Sequence, residues 1–231
     1  MIDEIGLLLP GGADEPARSG LARFGELLLL GSAAANLTGA KDAAAVVEHI
    51  ADALSIRRFV RGPLIDVGSG GGLPGIPIAI ATGIDVTLVE ATIRKARFLE
   101  DTLRALDIHG RVVVGRAEDV AHDPQLREHF ACATARALGG LSTVLELTLP
   151  FLSIGGVAVL QRGAVSDDER RAAADAALML GGELVGEERL GERRRVLLVE
   201  KVSATPDRFP RRTGVPAKRP LGLRSVSVDR S

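Results

Sequence analysis

The chain of 231 residues contains no Trp, no Tyr and one cysteine, and aromatic residues make up only 3% of it. One thiol supports neither a disulfide framework nor a cysteine-based metal site, so Cys132 is predicted to be a buried structural residue. A nucleobase could stack only on Phe, His or Arg. The longest apolar runs, such as residues 27–30, are too short to span a bilayer. Because the N-terminus also lacks a basic signal-peptide start, we expect a cytoplasmic protein with no membrane partner and no metal.

The charge balance is close to neutral, with a formal net charge of −1. No overall field therefore steers the protein toward nucleic acid, and any nucleic-acid surface must be a local patch. Residues 206–231 carry seven basic and two acidic side chains. Composition alone favours a solvated, partly disordered tail for this stretch.

Hydrophobic periodicity predicts two N-terminal helices followed by strands that alternate with helices. The helices are predicted at residues 21–30, 43–59, 75–82, 92–106, 141–152 and 167–180. The strands are predicted at residues 63–67, 85–89, 111–114, 131–135 and 157–161, and a closing hairpin at 183–189 and 195–201. Alternation of this kind is typical of a parallel sheet built from βαβ units.

This layout predicts an α/β fold of the Rossmann-like class I methyltransferase type. Its sheet is expected to be mostly parallel, with a C-terminal antiparallel hairpin and a small N-terminal helical cap. The predicted domains are the cap at residues 1–60, the cofactor-binding methyltransferase domain at 61–203 and a basic C-terminal tail at 204–231.

A glycine-rich loop at residues 66–75 lies between a predicted strand and a predicted helix, which is the context that a nucleotide loop requires. Its glycines satisfy a dinucleotide pattern, but Asp66-x-Gly68-x-Gly70-x-Gly72 fits the methyltransferase pattern from its acidic first residue onward. An acid suits a cofactor with an amino group and a sulfonium, whereas a pyrophosphate prefers bare helix N–H groups. No Gly-Lys-Ser/Thr is present, so the loop is not a P-loop. We therefore predict S-adenosylmethionine as the cofactor.

Glu90 ends the second predicted strand, 20 residues after Gly70. A carboxylate there can accept both ribose hydroxyls of an adenosine cofactor, in methyltransferases and NAD enzymes alike. Glu90 therefore joins Asp66, Gly68 and Gly70 as a candidate cofactor-binding residue, without choosing between the two cofactors.

Several segments, taken in order, resemble the glucose-inhibited division protein B family. The most unusual of them is Leu73-Pro74-Gly75-Ile76-Pro77 in the glycine loop. The matching segments are residues 36–38, 49–52, 66–77, 90–99, 116–118, 136–137, 155–163 and 209–220. Members of that family are bacterial methyltransferases that act on nitrogen-7 of a guanine in 16S ribosomal RNA. The resemblance implies S-adenosylmethionine as cofactor and 16S ribosomal RNA or the small ribosomal subunit as partner, and we expect a monomer.

The resemblance also implies roles for individual residues. Cofactor contacts fall on Gly68, Leu73, Ala117, Glu118 and Arg136. Ala117 and Glu118 would edge the adenine, and Arg136 would lie where the cofactor meets the substrate. The residues assigned to the catalytic site are Arg116, Arg136 and Arg162, and those assigned to RNA are Arg94, Arg211, Arg212 and Lys218.

Nitrogen-7 of guanine carries a free lone pair, so its methylation needs positioning rather than a general base. Arginine commonly reads guanine by bonding O6 and nitrogen-7 together, which would block the nucleophile. Arg116, Arg136 and Arg162 are therefore expected to hold phosphate, the cofactor carboxylate or O6 alone. The four histidines show no pairing with a nucleophile and are interpreted as structural or exposed.

Some positions depart from the family pattern. Gly31 and Ser32 stand where a Trp-Asn pair is usual, Glu48 replaces a basic residue and Ala131 replaces an Asp. At Arg162, where Lys is usual, the positive charge is kept. The first three changes affect the N-terminal cap and RNA affinity more than the binding of the cofactor.

Three other functions remain open at this point. A methyltransferase of small molecules or proteins would share the loop and Glu90 but would not need the basic C-terminal motif. An NAD-dependent oxidoreductase is disfavoured by Asp66. A non-catalytic RNA-binding relative would bind RNA without consuming cofactor.

Overall fold

The computed structural model describes residues 15–35, 37–192 and 194–222. These residues form a seven-stranded sheet in the order β3-β2-β1-β4-β5-β7-β6. The first five strands in that order pair in parallel, and β7 pairs antiparallel with both β5 and β6. The strands are β1 Leu64–Val67, β2 Val86–Glu90, β3 Gly110–Val114, β4 Phe130–Ala135, β5 Leu152–Arg162, β6 Gly182–Arg189 and β7 Arg195–Lys201.

The helices connect the strands and cover both faces of the sheet. They are α1 Glu15–Ala35, α2 Ala43–Leu54, α3 Gly75–Thr82, α4 Ile93–Ala105, α5 Ala117–Val120, α6 Leu141–Thr148, α7 Asp167–Met179 and α8 Val215–Lys218, with 3-10 turns at Arg57–Phe59 and Leu149–Phe151. Two of the longer ones begin at side-chain caps, since Asp42 accepts from the Ala45 N–H and Ser166 from the Glu169 N–H.

The core has two layers because strand side chains alternate between the two faces of the sheet. Leu64 packs with α1 to α4 on one face, whereas its neighbour Ile65 packs with α6 and α7 on the other. Every residue of β1 and β2 is buried, as expected for central strands of a covered parallel sheet. Cys132 is buried in β4, which confirms its predicted structural role.

The N-terminal helices share a core with the sheet. Phe24 and Leu28 of α1 and Ile50 of α2 are fully buried in the cluster that also holds Ile76 and Leu99. The boundaries predicted at residues 60 and 203 stay predictions, and within the described chain the cap helices pack directly on α3 and α4.

The expectation of a solvated tail is wrong for residues 204–222. Phe209 and Leu221 are buried in the second core cluster. The buried Lys201 ammonium donates to Glu128, and the Thr205 N–H bonds the same carboxylate. Backbone carbonyls of this segment also accept hydrogen bonds from Arg127. The partners that hold the segment lie far along the chain, so its local sequence pattern did not indicate that it is ordered. Residues 223–231 of the predicted tail lie outside the described residues.

The fold class is confirmed, but several element boundaries differ from the prediction. The helix predicted at residues 21–30 spans Glu15–Ala35, the one predicted at 141–152 ends at Thr148, and the short helix Ala117–Val120 was not predicted. The helix predicted to reach residue 59 ends at Leu54 and is followed by a 3-10 turn. The fifth strand begins at Leu152 rather than at residue 157. Within the described part of the chain, no helix is both long and apolar enough to cross a membrane.

Candidate functional site

The candidate site lies where the chain order of the strands reverses, between β1 and β4. Ligands of open α/β sheets bind at the carboxyl ends of the strands beside such a point. A cavity of about 750 Å³ occupies this position, which is within the usual range for ligand pockets. Its lining includes Gly68, Gly70, Leu73, Glu90, Ala117, Glu118 and Arg136, together with Thr38, His49, Lys95, Arg116 and Leu138.

The glycine loop forms the floor of this cavity. Gly68 and Gly70 adopt φ angles of 71° and 56°, a left-handed conformation that glycine enters without steric cost. A Cβ at Gly68 would also collide with the side chain of Leu138, which lines the same cavity. The N–H groups of Gly68 and Ser69 both donate to the Val89 carbonyl, which fixes the loop to the end of β2. The backbone therefore comes close to any bound ligand without an intervening side chain.

Asp66 occupies a different place from the one that its motif position suggested. It is fully buried and does not belong to the lining of the cavity. Its Oδ1 accepts from the Thr134 hydroxyl at 3.0 Å and its Oδ2 from the Gly75 N–H at 3.2 Å. The carboxylate thus braces the turn between β1 and α3 from beneath. The expected direct contact with a cationic cofactor group is corrected to a supporting role.

Burial raises the pKa of Asp66 to about 6, although the hydrogen bonds from Thr134 and Gly75 act in the opposite direction. A folded pKa above the unfolded value means that the folded state binds the proton more tightly. The contribution of Asp66 to stability is therefore largest at low pH and is lost as the pH rises through 6.

Asp66→Asn is accordingly expected to remove this pH dependence. The free energy of unfolding of the variant minus that of wild type should increase by about 2 kcal/mol as the pH is raised from 4.5 to 7. Urea unfolding at several pH values measures the difference, with Asp101→Asn on the exposed surface of α4 as the control. A difference between Asp66→Asn and wild type that does not change with pH would contradict the expectation.

Glu90 ends β2 at the rim of the loop, and both of its carboxylate oxygens are engaged. Oε2 accepts from the Gly70 N–H at 2.9 Å and Oε1 from the Thr92 N–H at 2.7 Å. Because each carboxylate oxygen has a second lone pair, Glu90 can hold the loop and still accept ligand hydroxyls from the cavity.

The part of the cavity wall that follows β3 is formed by the first residues of α5. The Glu118 carboxylate is buried and accepts from the Gly214 N–H at 3.0 Å and from Arg116 at 3.3 Å. Burial raises the pKa of Glu118, but these hydrogen bonds outweigh it and hold the pKa below its usual value. The C-terminal segment therefore reaches the cavity wall through Gly214, which the sequence pattern did not reveal.

Arg136 follows β4, the neighbour of β1, and lines the cavity. Its guanidinium donates to Asp52 Oδ2 at 3.3 Å and to His49 Nδ1 at 3.4 Å, both on α2. Arg194 forms a second ion pair with Asp52 at 3.1 Å. Gln161 donates to the backbone carbonyl of Asp52 at 2.6 Å. The N-terminal cap thus orients the arginine assigned to the site.

The structure does not bring every predicted residue to this cavity. Arg162 donates to the Gly139 carbonyl and to Glu169, so it braces the loop after β4 instead of lining the cavity. Arg94 is exposed outside the cavity, and its neighbour Lys95 lines it.

The C-terminal basic residues also differ among themselves. Arg211 forms a salt bridge with the fully buried Glu146 at 2.6 Å, so its side chain is committed to the fold. Arg212 and Lys218 are exposed. Their proposed contact with RNA stays a prediction.

The departures from the family pattern are accommodated locally. A Cβ at Gly31 would lie 2.7 Å from both Leu37 and Phe98, so these side chains fill the space beside the glycine. Glu48 is exposed on α2, and Ala131 is partly buried in β4. None of the three lines the cavity.

Sequence reasoning missed His49, Asp52 and Lys95 as parts of the site. His49 and Asp52 were noted only as family marks, and nothing local to α2 indicates that its face meets the end of β4. The only available signal was their spacing of three residues, which places both on one helix face.

The groups that line the cavity are suited to S-adenosylmethionine. A glycine turn offers close backbone approach, Glu90 offers acceptors for ribose hydroxyls, and Glu118, which follows β3, offers a further acceptor. Arg136 and Arg116 offer cationic partners for a carboxylate. These groups complement a nucleoside that carries an amino acid.

Comparison with known proteins identifies the family. The family profile described as rRNA small subunit methyltransferase G matches residues 18–198. The enzyme of that name from Leuconostoc mesenteroides is 35% identical over 213 residues, covering 86% of this chain and 89% of the relative. The one from Rubrobacter xylanophilus is 40% identical over 213 residues, covering 84% and 80%.

Solved structures share the fold. The M. jannaschii TYW2 protein in complex with AdoMet superimposes with a TM-score of 0.53 at 15% identity, covering 67% of this chain and 76% of that chain. These matches agree with the family that the sequence motifs indicated. The strand order and the position of the cavity are consistent with it. The chain therefore belongs to the rRNA small subunit methyltransferase G family.

Proposed function

We propose that the protein transfers the methyl group of S-adenosylmethionine to nitrogen-7 of a guanine in 16S ribosomal RNA, in the bacterial cytoplasm. The observation that carries the proposal is the single cavity that joins the glycine loop, Glu90 and Arg136. Family membership supports the RNA acceptor.

Methyl transfer to nitrogen-7 requires the protein mainly to position the two reacting groups. S-adenosylmethionine, when bound, supplies an electrophilic methyl group on a sulfonium. The nitrogen-7 lone pair forms the new C–N bond while the C–S bond breaks and its electron pair stays on sulfur. The positive charge moves to the guanine ring, and no proton is transferred. The chain's own residues therefore need only to hold the reacting atoms in line, a contribution that alone can lower a barrier by several kcal/mol.

Individual residues divide this work. Glu90 and the loop glycines hold the nucleoside end together with Glu118, which lines the same cavity. Arg136 is held by Asp52, and we assign it to the place where the donor and the acceptor meet. A fixed guanidinium there positions a carboxylate or a phosphate without itself reacting.

Basic side chains around the cavity support an RNA acceptor. Lys95 and Arg116 lie on its lining, and the Arg116 side chain is half exposed. Arg212 and Lys218 are exposed on the segment that reaches the same wall through Gly214. Because the net charge is only −1, such a local group is what would attract phosphate.

The test is transfer of radiolabel from S-adenosylmethionine to ribosomal fractions of a bacterium that lacks a family enzyme. We expect label in 16S RNA, and none in large-subunit RNA. Free 16S RNA and intact small subunits are compared in parallel, which tells which of them is the substrate. The double variant Arg212→Ala/Lys218→Ala tests the exposed basic residues of the C-terminal segment. It should raise the KM for RNA while leaving cofactor binding unchanged.

Absence of label in 16S RNA, with cofactor binding intact, would overturn the proposed acceptor. Label on a small molecule or a protein would assign the other methyltransferase class. RNA binding without any transfer would indicate a non-catalytic relative.

A further inference from the structure

His49 lies in the cavity although no role in methyl transfer has been given to it. It projects from α2, is partly buried and lines the cavity together with Arg136 and the glycine loop. The interpretation of all four histidines as structural or exposed therefore does not describe this one.

The hydrogen bond from Arg136 fixes where the imidazole proton lies. A guanidinium has donors and no acceptor, so His49 Nδ1, at 3.4 Å from Arg136 Nη2, must accept. A neutral imidazole carries one proton, which is then on Nε2. Among the described residues, no hydrogen bond to Nε2 is formed. His49 therefore has one N–H donor available to a ligand.

Arg136 is held in place, so the hydrogen bond that it donates to His49 Nδ1 has a defined geometry. Asp52 holds the guanidinium by an ion pair and is itself held by Arg194 and Gln161. The Asp52 carboxylate also offsets the arginine's positive charge beside the cavity. His49 thus receives its hydrogen bond from a guanidinium that Asp52 of α2 holds, and Asp52 is in turn held by Gln161 of β5 and by Arg194 just before β7.

Burial, and then the charge of Arg136, lower the pKa of His49 below its ordinary value of 6.5. The neutral ring therefore predominates at pH 7. A protonated ring would place a second N–H against Arg136, two donors facing each other.

The exposed edge of guanine presents O6 and nitrogen-7 as neighbouring acceptors, whereas adenine presents nitrogen-7 beside an amino donor. A forked arginine would cover both guanine acceptors, but a single N–H can bond O6 and leave nitrogen-7 free. We propose that His49 is a specificity-determining residue whose Nε2–H donates to O6 of the target guanine. This inference rests on the proposed nitrogen-7 reaction. A neutral donor also avoids repelling the positive charge that develops on the ring.

Two substitutions test the roles of the two ring nitrogens of His49 one at a time. In His49→Asn, the amide oxygen can replace Nδ1 and accept from Arg136, but no donor remains at the Nε2 position. In His49→Gln, the amide nitrogen can replace Nε2 and donate, but the acceptor for Arg136 is displaced. His49 forms no hydrogen bond with the glycine loop or with Glu90 among the described residues. Because His49→Asn also keeps the acceptor for Arg136, its affinity for S-adenosylhomocysteine, measured by calorimetry, should stay within about threefold of wild type.

The substrates are small subunits reconstituted with RNA that carries guanosine, inosine or 2-aminopurine riboside at the mapped methylation position. Inosine keeps O6 and nitrogen-7, whereas 2-aminopurine keeps nitrogen-7 and lacks O6. For wild type, we expect kcat/KM on inosine near that on guanosine and about tenfold to a hundredfold lower on 2-aminopurine, because its loss of O6 leaves a buried donor unpaired.

His49→Asn should bring the guanosine-to-2-aminopurine ratio close to one, and His49→Gln should retain most of it. Equal losses on both bases in His49→Asn, with the ratio unchanged, would overturn the proposal and leave a structural role. Failure of wild type to methylate any of the substrates would overturn the proposed function instead.

A readout that does not depend on activity tests the tautomer. Histidine-selective 15N labelling, with His49→Asn to assign the resonance, distinguishes protonated from unprotonated ring nitrogens. We expect the proton on Nε2 at pH 7 in the protein with S-adenosylhomocysteine bound. A proton on Nδ1 would contradict the proposal, whatever the activity of the variants.

Discussion

Replacing Glu90 with Ala is expected to weaken the binding of S-adenosylmethionine about 100-fold, as measured by calorimetry. The wild-type carboxylate accepts from the Gly70 and Thr92 N–H groups and is 7% exposed. Its removal takes away the acceptors proposed for the ribose and also releases the loop that carries Gly68 and Gly70. Both losses act on the same ligand, which is why this effect is among the largest we expect.

The matched control for Glu90→Ala is Glu100→Ala, on the exposed face of α4. It removes the same charge without touching the loop and should leave the affinity within about twofold, since exposed charges are screened. Unchanged affinity in Glu90→Ala, in a variant that unfolds at the wild-type urea concentration, would contradict the placement of the cofactor in this cavity.

Arg211→Met is expected to lower the free energy of unfolding by about 3 kcal/mol, because it leaves the carboxylate of Glu146 buried without its charge partner. Glu146 on α6 is fully buried, and Arg211 bonds both of its oxygens through the guanidinium. The loss should also loosen the C-terminal segment that bonds Glu118 through Gly214. Urea unfolding measures the change.

Arg212→Met is the matched control, since Arg212 is the exposed neighbour and should change stability by less than about 0.5 kcal/mol. The double variant Glu146→Leu/Arg211→Met should recover part of the loss, because an apolar pair leaves no unpaired buried charge. A fully stable Arg211→Met with weakened RNA binding would restore the RNA role that the sequence assigned to this residue.

Local patterns predict most of the fold. Strand β1 and helix α3 follow from an apolar run and from the glycine loop between them. Helix α3 has the predicted bounds because Gly83, at φ 69°, ends it in a left-handed conformation. The antiparallel hairpin of β6 and β7 follows from two alternating segments joined by a short turn. In each case the signal lies within the element or in the residues directly next to it.

The rest of the site depends on contacts between distant parts of the chain. Asp66 matches a motif at its position, yet its carboxylate turns under the loop because Thr134 and Gly75 supply buried donors. The pairing of Arg211 with Glu146 spans 65 positions and converts a basic tail residue into part of the core. Composition cannot distinguish such an arginine from the exposed Arg212.

The most direct test of the account is the identity of the methylated atom. RNA from small subunits that have been treated with the protein and S-adenosylmethionine is digested to nucleosides and analysed by mass spectrometry against methylguanosine standards. The account predicts 7-methylguanosine from 16S RNA, and much less of it with Glu90→Ala when the cofactor concentration is limiting. A methyl group on N1, N2 or O6 would contradict it, because those atoms either carry a proton that a base must remove or occupy the position assigned to the His49 contact.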